Sequence, residues 1–249
     1  HALPRPLVEF FFPRCAPSLQ NLRTMFEPSI LVVSFGGVGS KFLLQSLYPG
    51  RSVDFYRRHH THSRTPGQWT DWPGPIVYLH GDPREAVASL FQRRRVKHGR
   101  HDYQQREDWI QSREADRFVQ IHLENLEVDP LPMRAEWDLQ DYLQHTEHDL
   151  FQLEDHVDAW LQAPSPLQPL FLRFDTLWDH EATIAKTLGI RMPFLGKKIE
   201  RMTRLEQLPA PVANTLTDRY HSLVQKLETL PPVYFPSRDR ILPADQDPL

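Results

Sequence analysis

The chain has 249 residues, 40% of them hydrophobic, enough to bury a sizeable core, and it is expected to fold as one large α/β domain over residues 1–249. A formal net charge of −3 gives the whole molecule no field that would draw nucleic acid or an acidic membrane surface, and no run of about 18 apolar residues reads as a membrane span. The single cysteine, Cys15, excludes an intrachain disulfide and a cysteine-built metal cluster and suits a reducing, cytoplasmic setting.

Residues 1–28 carry several prolines and the cluster Phe10-Phe11-Phe12 without a sustained helical or strand period, and read as an irregular arm packing its phenylalanines on the domain. Ile30-Leu31-Val32-Val33 is then a buried strand, and Ser40 to Leu47 a helix stopped by Pro49 and Gly50. Between them lies Ser34-Phe35-Gly36-Gly37-Val38-Gly39-Ser40-Lys41. Glycines at 36, 37 and 39 let the backbone approach a ligand, and the amides opening the next helix then form a concave anion site for phosphate or sulfate. The alternative is an ordinary tight βα turn whose glycines serve packing. Ser40 would add a hydroxyl donor, and Lys41 a positive charge if it turns towards the loop. The nucleoside triphosphate form of this loop ends Gly-Lys-Ser/Thr. Here the order is Gly39-Ser40-Lys41, which moves the ammonium about 100° round the helix.

Arg51 to Arg58 reads as a second strand, followed by the polar run His59-His60-Thr61-His62-Ser63-Arg64. Ile76 to His80 is the cleanest short buried strand, and Gly81-Asp82-Pro83 turns out of it into a helix from Arg84, with Asp82 as N-cap and Pro83 as first helical residue. Residues 93–162 form a charged, helix-prone insert broken near Asp129-Pro130-Leu131-Pro132, with Leu139, Tyr142, Leu143, Leu150, Leu153, Val157, Trp160 and Leu161 at core-facing spacing. Leu170 to Phe174 is a last strong strand, Asp175 to Leu188 a helix closed by Gly189, and Val212 to Leu230 a final helix. Strands separated by helices predict a three-layer fold with a mainly parallel sheet. In such sheets ligands bind at the carboxyl ends of the strands, which collects Gly36 to Lys41, His59 to Arg64, His80 to Asp82 and Arg173 to Asp175 on one edge.

Three segments in this order resemble the P-loop-like sulfotransferases that use 3′-phosphoadenosine 5′-phosphosulfate. Ser34 to Leu43 lies without a gap over that family's Ser-Phe-Pro-Lys-Ser-Gly-Thr-Thr-Trp-Leu loop. Gly81-Asp82-Pro83-Arg84 with Ser89 follows its Arg-Asp-Pro-Arg motif and the serine eight residues on, and Leu170 to Leu177 its Leu-Arg-Tyr-Glu-Asp-Leu strand. The resemblance implies donor contacts from Gly36, Gly37, Val38, Gly39, Ser40, Lys41 and Ser89, with adenosine 3′,5′-bisphosphate as product and no metal. It implies a base histidine after the second strand, His60 before His62. The acceptor would be a small molecule, carbohydrate or protein bearing a hydroxyl or amine, and neither nucleic acid nor membrane is an expected partner.

Two family cations are replaced: the loop lysine falls on Gly37 and the 3′-phosphate arginine on Gly81. Lys41 for the first, Arg84, Arg93 or Arg94 for the second, and the run Lys197 to Arg204, with Arg201 and Arg204, are the candidate substitutes. Two other functions compete. One is a phosphotransferase using ATP and magnesium, with Asp82 after the Ile76–His80 strand. The other is a non-catalytic binding protein on the same fold.

Overall fold

A computed structural model describes residues 29–98, 118–134, 136–201 and 203–236. The expected arm (1–28) and the part of the insert that includes residues 99–117 lie outside them, as do the side chains of Arg93 and Arg94.

Strand β1 is Leu31–Val33, β2 His60–Thr61, β3 Ile76–His80, β4 Leu170–Arg173 and β5 Val233–Tyr234. They form one sheet in the order β2-β1-β3-β4-β5. The first four run parallel, with Val32 opposite His60, Val33 opposite Tyr78 and His80 opposite Arg173, and β5 is antiparallel to β4. Every residue of β1 and β3 is buried, so successive side chains are covered on both faces, as a sheet between two helical layers requires. The architecture is therefore α/β with a mainly parallel sheet, as the strand–helix alternation predicts.

The helices are α1 (Ser40–Leu47), α2 (Val53–Arg58), α3 (Pro83–His98), α4 (Phe118–Asn125), α5 (Leu139–His145), α6 (Leu153–Leu161), α7 (Glu181–Leu188) and α8 (Ala210–Thr229). The prolines at 164, 166 and 169 follow α6, and Gly189 closes α7 in the left-handed conformation at φ 67°. Helix α5 begins on a capping box: Asp138 accepts from the Gln140 and Asp141 amides while Asp141 accepts from the Asp138 amide. Tyr142, Leu143, Leu153, Val157 and Trp160 are buried, so the helical stripe of the insert does face the core.

Three local readings change. Residues 53–58 form helix α2, not a strand. The alternation of Val53 and Phe55 is outweighed by Ser52, whose hydroxyl accepts from the Phe55 amide, with Asp54 in the first turn and Arg57 and Arg58 in the last, each where the helix dipole favours it. The second strand is only His60–Thr61. After β4 the chain makes a 3-10 turn over Phe174–Thr176 before α7 begins at Glu181, so the helix expected from Asp175 starts later. None of the described helices is long and apolar enough to cross a membrane.

Candidate functional site

The parallel register delivers the segments after β1, β2, β3 and β4 to one edge of the sheet, which gathers the glycine loop, His62 to Arg64, His80–Asp82 and Arg173–Asp175; of the rest of the expected histidine run, His60 lies within β2, and His59 precedes it and packs on Ser29, Phe55 and Trp72 instead. In the loop, Gly36, Gly37 and Gly39 have φ of 88°, 67° and 86°, left-handed values that L side chains rarely adopt. Each glycine also makes room for a neighbour. A β-carbon on Gly36 would collide with the His122 imidazole, one on Gly37 with the Ala86 backbone of α3, and one on Gly39 with the Phe174 ring. Val38 is buried, Ser40 is buried at the start of α1, and Lys41 is exposed in its first turn.

Arg201, from the irregular segment after α7, lies across this edge. Its Nη2 donates to the Gly37 carbonyl at 2.8 Å, and Nη1 lies 3.1 Å from the Glu85 carboxylate in the first turn of α3. The same Nη1 is 3.0 Å from where a β-carbon on Gly81 would stand, so a larger residue at 81 would displace the guanidinium. Both side chains are largely covered, at 10% exposure for Arg201 and 15% for Glu85. Burial raises the Glu85 pKa, and Arg201 together with the Leu205 amide pulls it back. The other candidate cations are differently placed. Arg84 forms a fork on Asp82, with Nε to Oδ1 at 2.9 Å and Nη2 to Oδ2 at 2.6 Å, and Asp82 also accepts from the Arg84 amide at the start of α3. Arg204 pairs with Glu200 and Glu206 at the surface, and Ser89 is half-buried on α3.

Three imidazoles stand edge to face beside the loop: His60 and His62 with ring centres 4.4 Å apart, His62 and His122 with centres 4.8 Å apart. A carbonyl only accepts, so the 2.6 Å contact from His62 Nδ1 to the Ser34 carbonyl fixes the proton on Nδ1 and makes Nε2 the basic nitrogen. His122 likewise donates from Nε2 to the Phe35 carbonyl at 3.0 Å. His60 is half-buried, its Nε2 enclosed without a partner among the described residues. Burial first, then the neighbouring His62 and His122, holds its pKa well below the usual histidine range.

The insert holds this histidine loop in place. From α6, His156 donates through Nε2 to the His62 carbonyl at 3.1 Å and accepts the Tyr78 hydroxyl at Nδ1 at 2.8 Å, while Trp160 Nε1 donates to the Ser63 carbonyl at 2.9 Å. His156 is completely buried, and burial, opposed by the hydrogen bond to His62, pushes its pKa down to about 3. Glu127 follows α4 with φ 60° and accepts from Ser63, Thr65 and Gln68. Burial would raise its pKa, but these donors outweigh it and the carboxylate titrates below its usual range.

His122 and His156 are the site residues that the sequence alone does not single out. Both lie on amphipathic helices of the insert, and no local motif links them to the loop carbonyls they contact. Comparison with protein-family models, with curated proteins and with solved structures finds no match.

Proposed function

We propose that this chain is a sulfotransferase moving a sulfuryl group from 3′-phosphoadenosine 5′-phosphosulfate to a hydroxyl or amine of its acceptor. The observation that carries the reading is the Arg201 guanidinium. It stands against Gly37 and Gly81, the two positions where the resembled motifs carry their lysine and arginine. In this reading one distant side chain would supply the cation missing from both motifs, its guanidinium turning from the Gly37 carbonyl and the Glu85 carboxylate to phosphate or sulfate oxygens when the donor binds.

In the proposed reaction the acceptor oxygen or nitrogen bonds to sulfur as the bridging sulfur–oxygen bond breaks, and adenosine 3′,5′-bisphosphate leaves with the bond's electron pair. His62 takes the acceptor proton at Nε2, because its other nitrogen is anchored to the Ser34 carbonyl. This places His62 ahead of His60, whose enclosed Nε2 is poorly disposed to meet an acceptor. Arg201, with Lys41 from the first turn of α1, would balance the charge that develops on the leaving oxygen. Ser40 and Ser89 would donate to the donor's phosphates, with Arg84 joining only if it leaves Asp82.

A second reading has its own support. The close packing of His122, Ala86 and Phe174 on the three glycines gives the loop a structural purpose without a ligand, as in a non-catalytic binding protein. The phosphotransferase reading is disfavoured, because the Asp82 carboxylate is already committed to Arg84 and to the start of α3.

Isothermal titration at low salt with adenosine 3′,5′-bisphosphate, and separately with ATP and magnesium, distinguishes the three. The sulfotransferase reading expects micromolar bisphosphate binding that weakens roughly tenfold or more in Arg201→Lys or Arg201→Ala, the size expected for one charge-assisted contact. Binding of ATP with magnesium alone, or of neither nucleotide, refutes it.

A further inference from the structure

We propose that the Arg201–Glu85 pair is a proton-coupled latch on the glycine loop: an oxyanion binding there draws the guanidinium off the carboxylate, and Glu85 takes up a proton as it does so. The cation that such an anion needs is already engaged by the protein itself. Nη2 of Arg201 donates to the Gly37 carbonyl at 2.8 Å, and Nη1 lies 3.1 Å from Oε2 of Glu85. Binding is therefore an exchange of one negative partner for another, and the observed affinity is reduced by the fraction of chains in which Glu85 holds the arginine.

Three observations point to exchange rather than to a fixed bridge. Although Nη1 stands within ion-pair distance of Glu85, it is buried and has no hydrogen-bond partner among the described residues. A buried ion pair repays its desolvation only when its remaining donors are satisfied, and this one leaves a donor for another acceptor. Helix α1 starts at the same loop with no side-chain cap and no acidic residue in its first turn, so its opening amides are left for an acceptor from elsewhere. Glu85, finally, does not depend on the arginine alone. Its Oε1 accepts from the Leu205 amide at 3.2 Å, so Oε2, the oxygen that the guanidinium leaves, is the one to take the proton.

The surroundings of Glu85 give the exchange its sign. Burial favours the neutral carboxyl, Arg201 and the Leu205 amide favour the ionised one, and the Asp82 and Asp175 carboxylates again favour the neutral one. Arg84 also faces Glu85, but it is forked on Asp82 and adds little net charge. Once Arg201 turns away, burial and two carboxylates are opposed by the amide, while a new anion has come close. Glu85 thus titrates at a higher pH with the anion bound than without it. Affinity rises as pH falls through the bound-state value and levels off below the free-state value, by at most about tenfold per pH unit for one proton. That the natural anion is the phosphosulfate donor rests on the transferase reading, whereas the exchange rests on the pair itself.

The probe is inorganic sulfate, which does not titrate near neutral pH and carries no nucleoside, added to the whole chain at constant ionic strength. E85Q is expected to bind it roughly tenfold more tightly than the parent chain near about pH 8, an advantage that shrinks towards about pH 5.5 as acid unlatches the parent. Glutamine keeps an oxygen for the Leu205 amide, and melting without sulfate verifies the fold. His60, His62 and His122 are common to both chains, so protons they take up cancel in the comparison. E85Q/R201A should bind no better than R201A, because the gain passes through the arginine. In the parent chain the carboxyl carbon resonance of Glu85 should move to its protonated position as sulfate is added near neutral pH, a readout that needs no substitution. The proposal is overturned if E85Q binds no tighter than the parent, if its advantage is the same at both pH values or persists without Arg201, if the Glu85 resonance stays in place, or if neither chain binds sulfate. Bisphosphate binding that E85Q leaves unchanged removes the latch and keeps the transferase reading, whereas the expected sulfate behaviour without bisphosphate binding does the reverse.

Discussion

Removing Arg201 tests the central contact of the sheet edge without any ligand. Arg201→Ala deletes a charge-assisted hydrogen bond to the Gly37 carbonyl and leaves Glu85 with a side chain only 15% exposed and no guanidinium beside it. A hydrogen bond involving a charge contributes about 1.5–3 kcal/mol, and stranding one member of a buried pair costs about 3–5 kcal/mol. Glu85 keeps the Leu205 amide and some solvent, so a combined loss of about 2–4 kcal/mol is expected. At about 2–4 °C per kcal/mol for a chain of this size, Tm should fall by roughly 4–16 °C. The loss should also depend on pH with a definite sign. Burial already raises the Glu85 pKa, and removing Arg201 raises it further, so in the variant the ionised carboxylate is the destabilising form. The penalty is therefore largest above that raised pKa and shrinks as acidification protonates Glu85, and E85Q/R201A should recover much of it at neutral pH. Urea unfolding of the parent, both single variants and the double variant at two pH values measures all of this. A loss below about 0.5 kcal/mol, or one that grows on acidification, would show that the pair does not hold the loop as described.

Other substitutions report on other parts of the edge. Gly36→Ala combines a left-handed φ of 88° with a collision against His122 and should destabilise by at least about 1–2 kcal/mol in thermal melts, whereas Gly50→Ala, with open space around it, should show only the smaller conformational cost. Tyr78→Phe leaves His156 Nδ1 without its hydroxyl donor in a fully buried place and should cost about 1–3 kcal/mol, a value near zero refuting the assigned tautomer. His60, His80 and His156 have depressed pKa values, so the unfolded chain takes up their protons first: stability should decline as pH falls below about 6.5, by about 1.4 kcal/mol per pH unit for each histidine, and continue down to about 3 for His80 and His156. Acid titration of unfolding that is flat between pH 6.5 and 4 would contradict that burial. By contrast Lys226→Ala removes partly exposed pairs with Glu154 and Asp158 and should change stability by only about 1 kcal/mol or less in the same urea assay.

What the sequence makes legible follows from the range of the forces involved. Strands β1, β3 and β4 are short runs buried on both faces, and glycine or proline bounds the elements next to them, so composition alone locates them. The 53–58 segment is a case where two local signals conflict, and the cap and dipole partners prevail over an alternation only two apolar residues long. β5 is two residues lying against β4, too short to leave a pattern in the sequence. At the site, the glycine loop and the basic run containing Arg201 were readable as segments, but the contact between them spans most of the chain. His122 and His156 show the same limit more sharply. Neither belongs to a motif, and only the tertiary packing of the insert buries them and turns them toward carbonyls of the loop.

The pair of bonds from His156 and Trp160 to the carbonyls of His62 and Ser63 has a mechanical consequence. A two-residue strand offers little purchase on the sheet, so the histidine loop is held between the Ser34 carbonyl on one side and the helical insert on the other. A movement of α6 that widens the edge for a larger molecule therefore pulls the backbone of the histidine loop against the His62 bond to the Ser34 carbonyl, and re-aims the ring only by breaking that bond.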